Sequence, residues 1–126
     1  MRSAHVGLLP TYADSYGFSV LEFQASGCPV ISTNVRALPE INNNEIGWII
    51  EIPKNRLGEA IYTNAEDRYE IRKTITKGLM DKISDIMENK DQIPIKADKA
   101  LKNIRDRHSH EGYSRKLEEI YSQAIV

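Results

Sequence analysis

Apolar residues fall in short runs through the first part of the chain and at helical spacing through the rest. The run His5-Val6-Gly7-Leu8-Leu9-Pro10 reads as a buried strand, with His5 as a buried strand residue and not a base. Phe18 to Ser26 reads as a helix, and Gly27 serves as its stop. Pro29 to Thr33 gives a second strand. Ala37 to Ile41 gives one short helical turn, Asn42-Asn43-Asn44 a turn, and Glu45 to Ile52 a third strand. Strand, helix, strand, short helix, strand is the pattern of a parallel α/β unit.

The pattern changes after Pro53. Lys54 to Ala65 is irregular or holds a short helix around Leu57 to Tyr62. Asp67 to Asn89 reads as one long helix, with Ile71, Ile75, Leu79, Ile83 and Ile86 or Met87 at helical spacing. Asn64, three residues before Asp67, is its candidate cap. Pro94 breaks the chain over Gln92 to Ile95. Lys96 to Arg107 is then a helix with Ala97, Leu101 and Ile104 on one face. Ser109 caps a last helix over Glu111 to Ile125, which turns Tyr113, Leu117, Ile120 and Ala124 inward.

Composition narrows the field. With 126 residues there is enough chain for one small domain with a modest core. The formal net charge of −1 carries no one-sign block, so nothing calls for nucleic acid. The lone cysteine, Cys28, excludes an internal disulfide framework and fits a small apolar core position before a strand. No signal peptide is visible, and no apolar run approaches the ~20 residues of a membrane span. These features point to a cytoplasmic location, with peripheral membrane contact left open. His108 and His110 lack a third partner and make a poor zinc site. No Asp-x-Asp pair is present to hold a metal-bound diphosphate.

The chemistry concentrates between Thr11 and Glu22. There a polar loop with Gly17 joins the first strand to the start of a helix, where unpartnered amides and the positive end of the dipole favour an anion. Asp14 and Glu22 bracket it with seven residues between them. On this evidence alone, Asp14 reads first as a helix cap and Glu22 as an ordinary first-turn acid.

The text around these acids resembles the E-x7-E donor-binding segment of family 4 retaining glycosyltransferases of the GT-B fold. The likeness continues through Glu22-Phe23-Gln24-Ala25-Ser26-Gly27-Cys28-Pro29-Val30-Ile31-Ser32-Thr33. It goes on through Leu38-Pro39-Glu40-Ile41 and Ile46-Gly47-Trp48-Ile49-Ile50, and so covers roughly the first 50 residues. The tail, with Ile120-Tyr121 in a final helix, is similar to the family's end at much lower specificity.

The resemblance implies a fold and a site. The fold is a partial Rossmann-like parallel sheet of about three strands followed by several helices, the second half of a GT-B C-terminal domain. Residues 1–126 then form one partial domain, with a donor-binding segment over 1–53 and a helical closing segment over 54–126. Asp14 is expected on the sugar hydroxyls, the amides near Tyr16, Gly17, Phe18 and Ser19 on the sugar and distal phosphate, and Glu22 on the ribose. The substrate is a UDP-, GDP- or ADP-hexose, with neither metal nor other cofactor. The arginine and lysine that neutralise the departing diphosphate in the family, and the acceptor domain, are expected upstream. The chain alone is therefore expected to be inactive.

Two departures from the family pattern matter. Asp14 stands where Glu is usual and is one methylene shorter, and Val35-Arg36-Ala37 stands where glycines are common. Arg36 reads as a solvated loop residue. The first strand would lack a neighbour, so a missing N-terminal domain, a partner chain or a homodimer is expected along it. The alternatives are a non-catalytic donor-binding subunit of a two-chain enzyme and another GT-B enzyme such as a sugar-nucleotide epimerase. A phosphorylase relative is disfavoured, since no lysine lies between Met1 and Pro53. A helical interaction domain leaves the first 50 residues unexplained.

Overall fold

The computed structural model describes residues 4–13, 16–108 and 110–124. Three strands, β1 (Gly7–Leu9), β2 (Val30–Thr33) and β3 (Trp48–Ile50), form a parallel sheet in the order β1-β2-β3. Gly7 pairs with Val30 and Leu9 with Ser32; Ile31 pairs with Trp48 and Thr33 with Ile50. Helix α1 (Phe18–Ala25) connects β1 to β2, and the single-turn α2 (Leu38–Ile41) lies between β2 and β3. Three longer helices follow: α3 (Ala65–Glu88), α4 (Gln92–Arg107) and α5 (His110–Ala124). This is the α/β, Rossmann-like arrangement expected from the sequence.

β2 is buried along its whole length, as suits the middle strand of a parallel sheet. Both α1 and α3 pack on it. The core is built from Val20, Val30, Ile31, Leu38, Ile41, Trp48, Ile50, Ile71 and Ile75 with their neighbours. Gly78 lets α3 approach β3 closely, because a Cβ there would fall 2.5 Å from the Ile50 Cγ2. Gln24 is fully buried and donates from Nε2 to the Ile41 carbonyl at 2.9 Å. Buried Asn42 donates to the Val30 carbonyl at 3.0 Å and to the Ser32 hydroxyl at 2.8 Å, tying the end of α2 to β2.

Several element boundaries differ from the sequence reading, each for a local reason. β3 begins at Trp48 and not Glu45, because the Asn43 Oδ1 accepts from the amides of Glu45 and Ile46 and closes a turn there. No helix forms over 57–62. Asn55 Oδ1 instead accepts from the Leu57 and Glu59 amides, and Lys54 bridges to Ala60. Gln92 to Ile95 is not a break but the first turn of α4. Pro94 is the third helical residue, where its missing N–H would have had no partner within the helix. His5 is exposed and precedes the strand.

The long helix starts at Ala65, and Asn64 caps it as expected, accepting from the Asp67 amide at 2.8 Å. Ile71, Ile75 and Ile86 are buried, whereas Ile83 and Met87 are exposed. These two border a groove of about 610 Å³ beside β1, together with His5, Leu8 and Pro94. Helix α5 departs most from expectation. None of its described residues is buried, and Tyr113, Leu117 and Ile120 are all exposed, so its apolar stripe does not face the core. The expected Ser109 cap and the helix end at Ile125 lie outside the described residues. Lys96 and Gln92 pin the start of α4 to the third strand. Lys96 Nζ donates to the carbonyls of Asn44 and, at 2.9 Å, Gly47, and stands 5.0 Å from the centroid of Trp48. Trp48 Nε1 donates to the Gln92 Oε1 at 3.1 Å.

Candidate functional site

The loop from Pro10 to Gly17 leaves the C-terminal end of β1 and delivers the chain to the start of α1. In parallel sheets, loops at this end carry ligand sites. Two threonines shape its first half. The Thr11 hydroxyl donates to the Ala13 carbonyl at 2.8 Å and accepts from the Ala13 amide at 3.2 Å. The Thr33 hydroxyl, at the end of β2, donates to the Thr11 carbonyl at 2.6 Å. Asp14, the first acid of the spacing, lies outside the described residues, as does Ser15.

Tyr16, Gly17, Phe18, Ser19 and Glu22 are brought together around the start of α1. Gly17 is the N-cap and sits in the left-handed region, with φ 84° and ψ 40°. It is also closely packed, since a Cβ would fall 2.6 Å from the Ile41 Cδ1 and 2.7 Å from the Leu38 Cδ2. Glycine is thus required twice, for the turn and for the space. No side chain among the described residues caps this helix, and Phe18 and Ser19 supply first-turn amides of the kind that attract anions. Phe18 is 67% exposed, and its ring lies 4.9 Å from that of Tyr16. Glu22 is exposed, about 6 Å further along the helix axis than Phe18.

The end of α4 and the start of α5 reach this site. Glu22, Tyr16 and Phe18 border a groove of about 490 Å³ with Ile104, His108 and Tyr113. The Tyr16 and Tyr113 hydroxyls lie 3.4 Å apart, and Tyr113 is 3.0 Å from the His108 Nδ1. Burial, then Arg107 and Lys116, pushes the His108 imidazole below its ordinary value. The hydrogen bond with Tyr16, reinforced by burial, raises the Tyr113 phenol. Sequence reading missed this participation. Tyr113 falls in an apolar helical pattern that points to the core, and His108 reads from the sequence only as a poor metal ligand.

Arg36 lies at the neighbouring mouth of the sheet with a left-handed φ of 48°. Its amide donates to the Gly58 carbonyl at 2.9 Å, and its guanidinium pairs with the Glu59 carboxylate at 3.4 Å, both side chains being well exposed. Cys28 is buried, as expected, and its thiol donates to the Ala4 carbonyl. Among the described residues, no three His, Cys, Asp or Glu side chains cluster closely enough to hold a metal ion. None of the described helices is long and apolar enough to cross a membrane.

A family model described as glycosyl transferases group 1 matches residues 1–67, from before β1 to the first residues of α3. That span is more than half of the chain and contains the whole sheet and the loop before α1.

The chain belongs to the group 1 glycosyl transferases.

Curated relatives agree with this membership. The D-inositol 3-phosphate glycosyltransferase of Paenarthrobacter aurescens (strain TC1) is 39% identical over 51 residues, which is 40% of this chain and 12% of that protein. The D-inositol 3-phosphate glycosyltransferase of Streptomyces scabiei (strain 87.22) is 33% identical over 51 residues, covering 40% of this chain and 11% of that protein. The matched part of this glycosyltransferase chain thus spans only about a tenth of those relatives' length.

Proposed function

We propose that the loop before α1 and the first turns of that helix bind the nucleotide-sugar donor of a retaining, family 4 hexosyltransferase. The observation that carries this reading is the left-handed Gly17, which turns the chain into α1 so that first-turn amides and the exposed Glu22 lie along one helix. In this reading the amides near Tyr16, Gly17, Phe18 and Ser19 receive the sugar and distal phosphate. Glu22 accepts from the ribose hydroxyls, and Asp14 accepts from hydroxyls of the sugar. Hydrogen bonds to a charged carboxylate contribute about 1.5–3 kcal/mol each, so the two acids fix the donor's orientation as well as hold it. The base and the sugar, among UDP-, GDP- and ADP-hexoses, are selected by further contacts.

The charges that neutralise the departing diphosphate, and the acceptor site, are assigned in this reading to chain beyond these residues. The small share of the relatives' length covered by the match supports that assignment. The edge of β1 that no strand among the described residues covers, with its adjoining groove, is the proposed side for that chain, or for a second copy.

Ligand-observed NMR with UDP-glucose, GDP-mannose and ADP-glucose tests the site. Binding of one donor, weakened in both Asp14→Asn and Glu22→Gln, is the expected result. Binding that neither variant changes removes the assignment of these residues.

A further inference from the structure

Tyr16 precedes α1 in the loop, yet its hydroxyl meets that of Tyr113 on α5, 97 residues away in sequence. The Tyr113 hydroxyl in turn meets Nδ1 of His108, the residue that ends α4, and their rings stand edge-on at 74°. Three polar side chains from three separate parts of the fold therefore form one line that ends beside Gly17. We propose that Tyr113, oriented by His108, is a positioning residue for Tyr16 and, through it, for the start of α1. For its functional meaning this rests on the donor-binding reading of that loop.

Gly17 has the wide backbone freedom of a glycine, so besides its packing against Ile41 and Leu38, contacts on its neighbours help fix the direction in which the Phe18 and Ser19 amides point. Tyr16 is the residue immediately before it, and its ring lies against Phe18. Holding the Tyr16 hydroxyl therefore restrains the residues on both sides of Gly17. The groove that Glu22 borders is walled by the same Tyr113 and His108.

The line also has a direction. A neutral imidazole with its proton on Nε2 accepts at Nδ1, so the Tyr113 hydroxyl donates to His108 and its oxygen accepts from Tyr16. Protonated, Nδ1 donates to the Tyr113 oxygen, whose own proton then turns toward Tyr16. One proton on His108 thus reverses donation at the loop. The cations facing this cluster are Arg107 on α4 and Arg115 and Lys116 on α5. The facing carboxylates are Asp106 on α4, Glu119 on α5, Glu40 on α2 and Glu22 on α1. Histidine is the side-chain type in this set that ordinarily titrates between pH 5 and 8. Burial with Arg107 and Lys116 favours its neutral form, which in the Nε2–H tautomer gives the first arrangement near neutral pH.

The test uses the full chain, as wild type, Tyr113→Phe and His108→Gln, followed by amide and imidazole NMR between pH 5 and 8. In the wild type, the amides of Tyr16, Gly17 and Phe18 shift with the same midpoint as the His108 ring. In Tyr113→Phe the ring still titrates and the loop amides no longer follow it. His108→Gln abolishes the response altogether. Loop amides that ignore His108 in the wild type, or follow it unchanged in Tyr113→Phe, overturn the proposal. Each protein is also titrated with UDP-glucose, GDP-mannose and ADP-glucose, and Tyr113→Phe is expected to weaken donor binding about threefold to tenfold. Equal donor affinity in wild type and Tyr113→Phe overturns the functional half. If no donor binds the wild type while the amide response is present, the donor reading fails and the positioning role stands.

Discussion

The hydroxyl of Thr33, the last residue of β2, donates at 2.6 Å to the main-chain carbonyl of Thr11. This bond fixes the loop after β1 against the neighbouring strand end, on the path to Gly17. Replacement of Thr33 by the near-isosteric valine removes the donor and leaves that carbonyl without it. The expected loss of stability is about 1 kcal/mol, read from urea unfolding, with faster hydrogen exchange at the Ala13 amide. An unchanged exchange rate would show that the loop is held by other contacts.

Gly17 is the residue least open to substitution in the site. Alanine there takes on a left-handed backbone and drives its Cβ toward Ile41 and Leu38. Gly17→Ala should cost about 1–3 kcal/mol, of which the backbone alone accounts for about 1–2. Gly17→Asn separates the two causes, because asparagine tolerates the left-handed region better but carries the same Cβ. Equal losses in both variants assign the cost to packing; a smaller loss for asparagine assigns it to the backbone.

Lys96 joins α4 to the turn before β3 through two carbonyls and the Trp48 ring. Lys96→Met keeps most of the aliphatic stem and removes the charge and donors. The expected cost is about 1–2 kcal/mol. Trp48 is the one tryptophan of the chain, so its fluorescence reports unfolding at this junction directly. A variant as stable as wild type would make the contact a surface feature with no structural role.

Stability should depend on His108. Its imidazole value is lowered in the folded chain, chiefly by burial and then by Arg107 and Lys116. Between the folded value and the ordinary 6.5, the unfolded chain binds more protons, so stability rises with pH through that window. The contribution is complete above 6.5 and declines as pH falls toward the folded value. Urea midpoints measured from pH 5 to 8 should show this rise in wild type and a flatter profile in His108→Gln. Identical profiles would remove His108 from the account.

The sheet and its crossover were legible because short apolar runs and the stop at Gly27 leave few alternatives in a chain of this size. The cap at Asn64 was legible for the same reason, since capping needs only neighbours in sequence. Pro94 misled because a proline interrupts a helix interior but fits a first turn, and only the position of Gln92 against Trp48 decides which applies. The periodicity of α5 gave a helix correctly, but periodicity does not say what an apolar face meets. Tyr113 meets Tyr16 and His108, a contact between remote parts of the chain that no local pattern carries. The loop's glycine and acids stood out in the sequence; its restraints, Thr33 and Tyr113, did not.

Amide shift mapping during titration with UDP-glucose, GDP-mannose and ADP-glucose tests whether the start of α1 holds the donor. One of these donors is expected to move the amides of Gly17, Phe18 and Ser19 most, with those around Glu22 next. Largest shifts in the groove beside β1 or along α3, with the start of α1 unmoved, would contradict it.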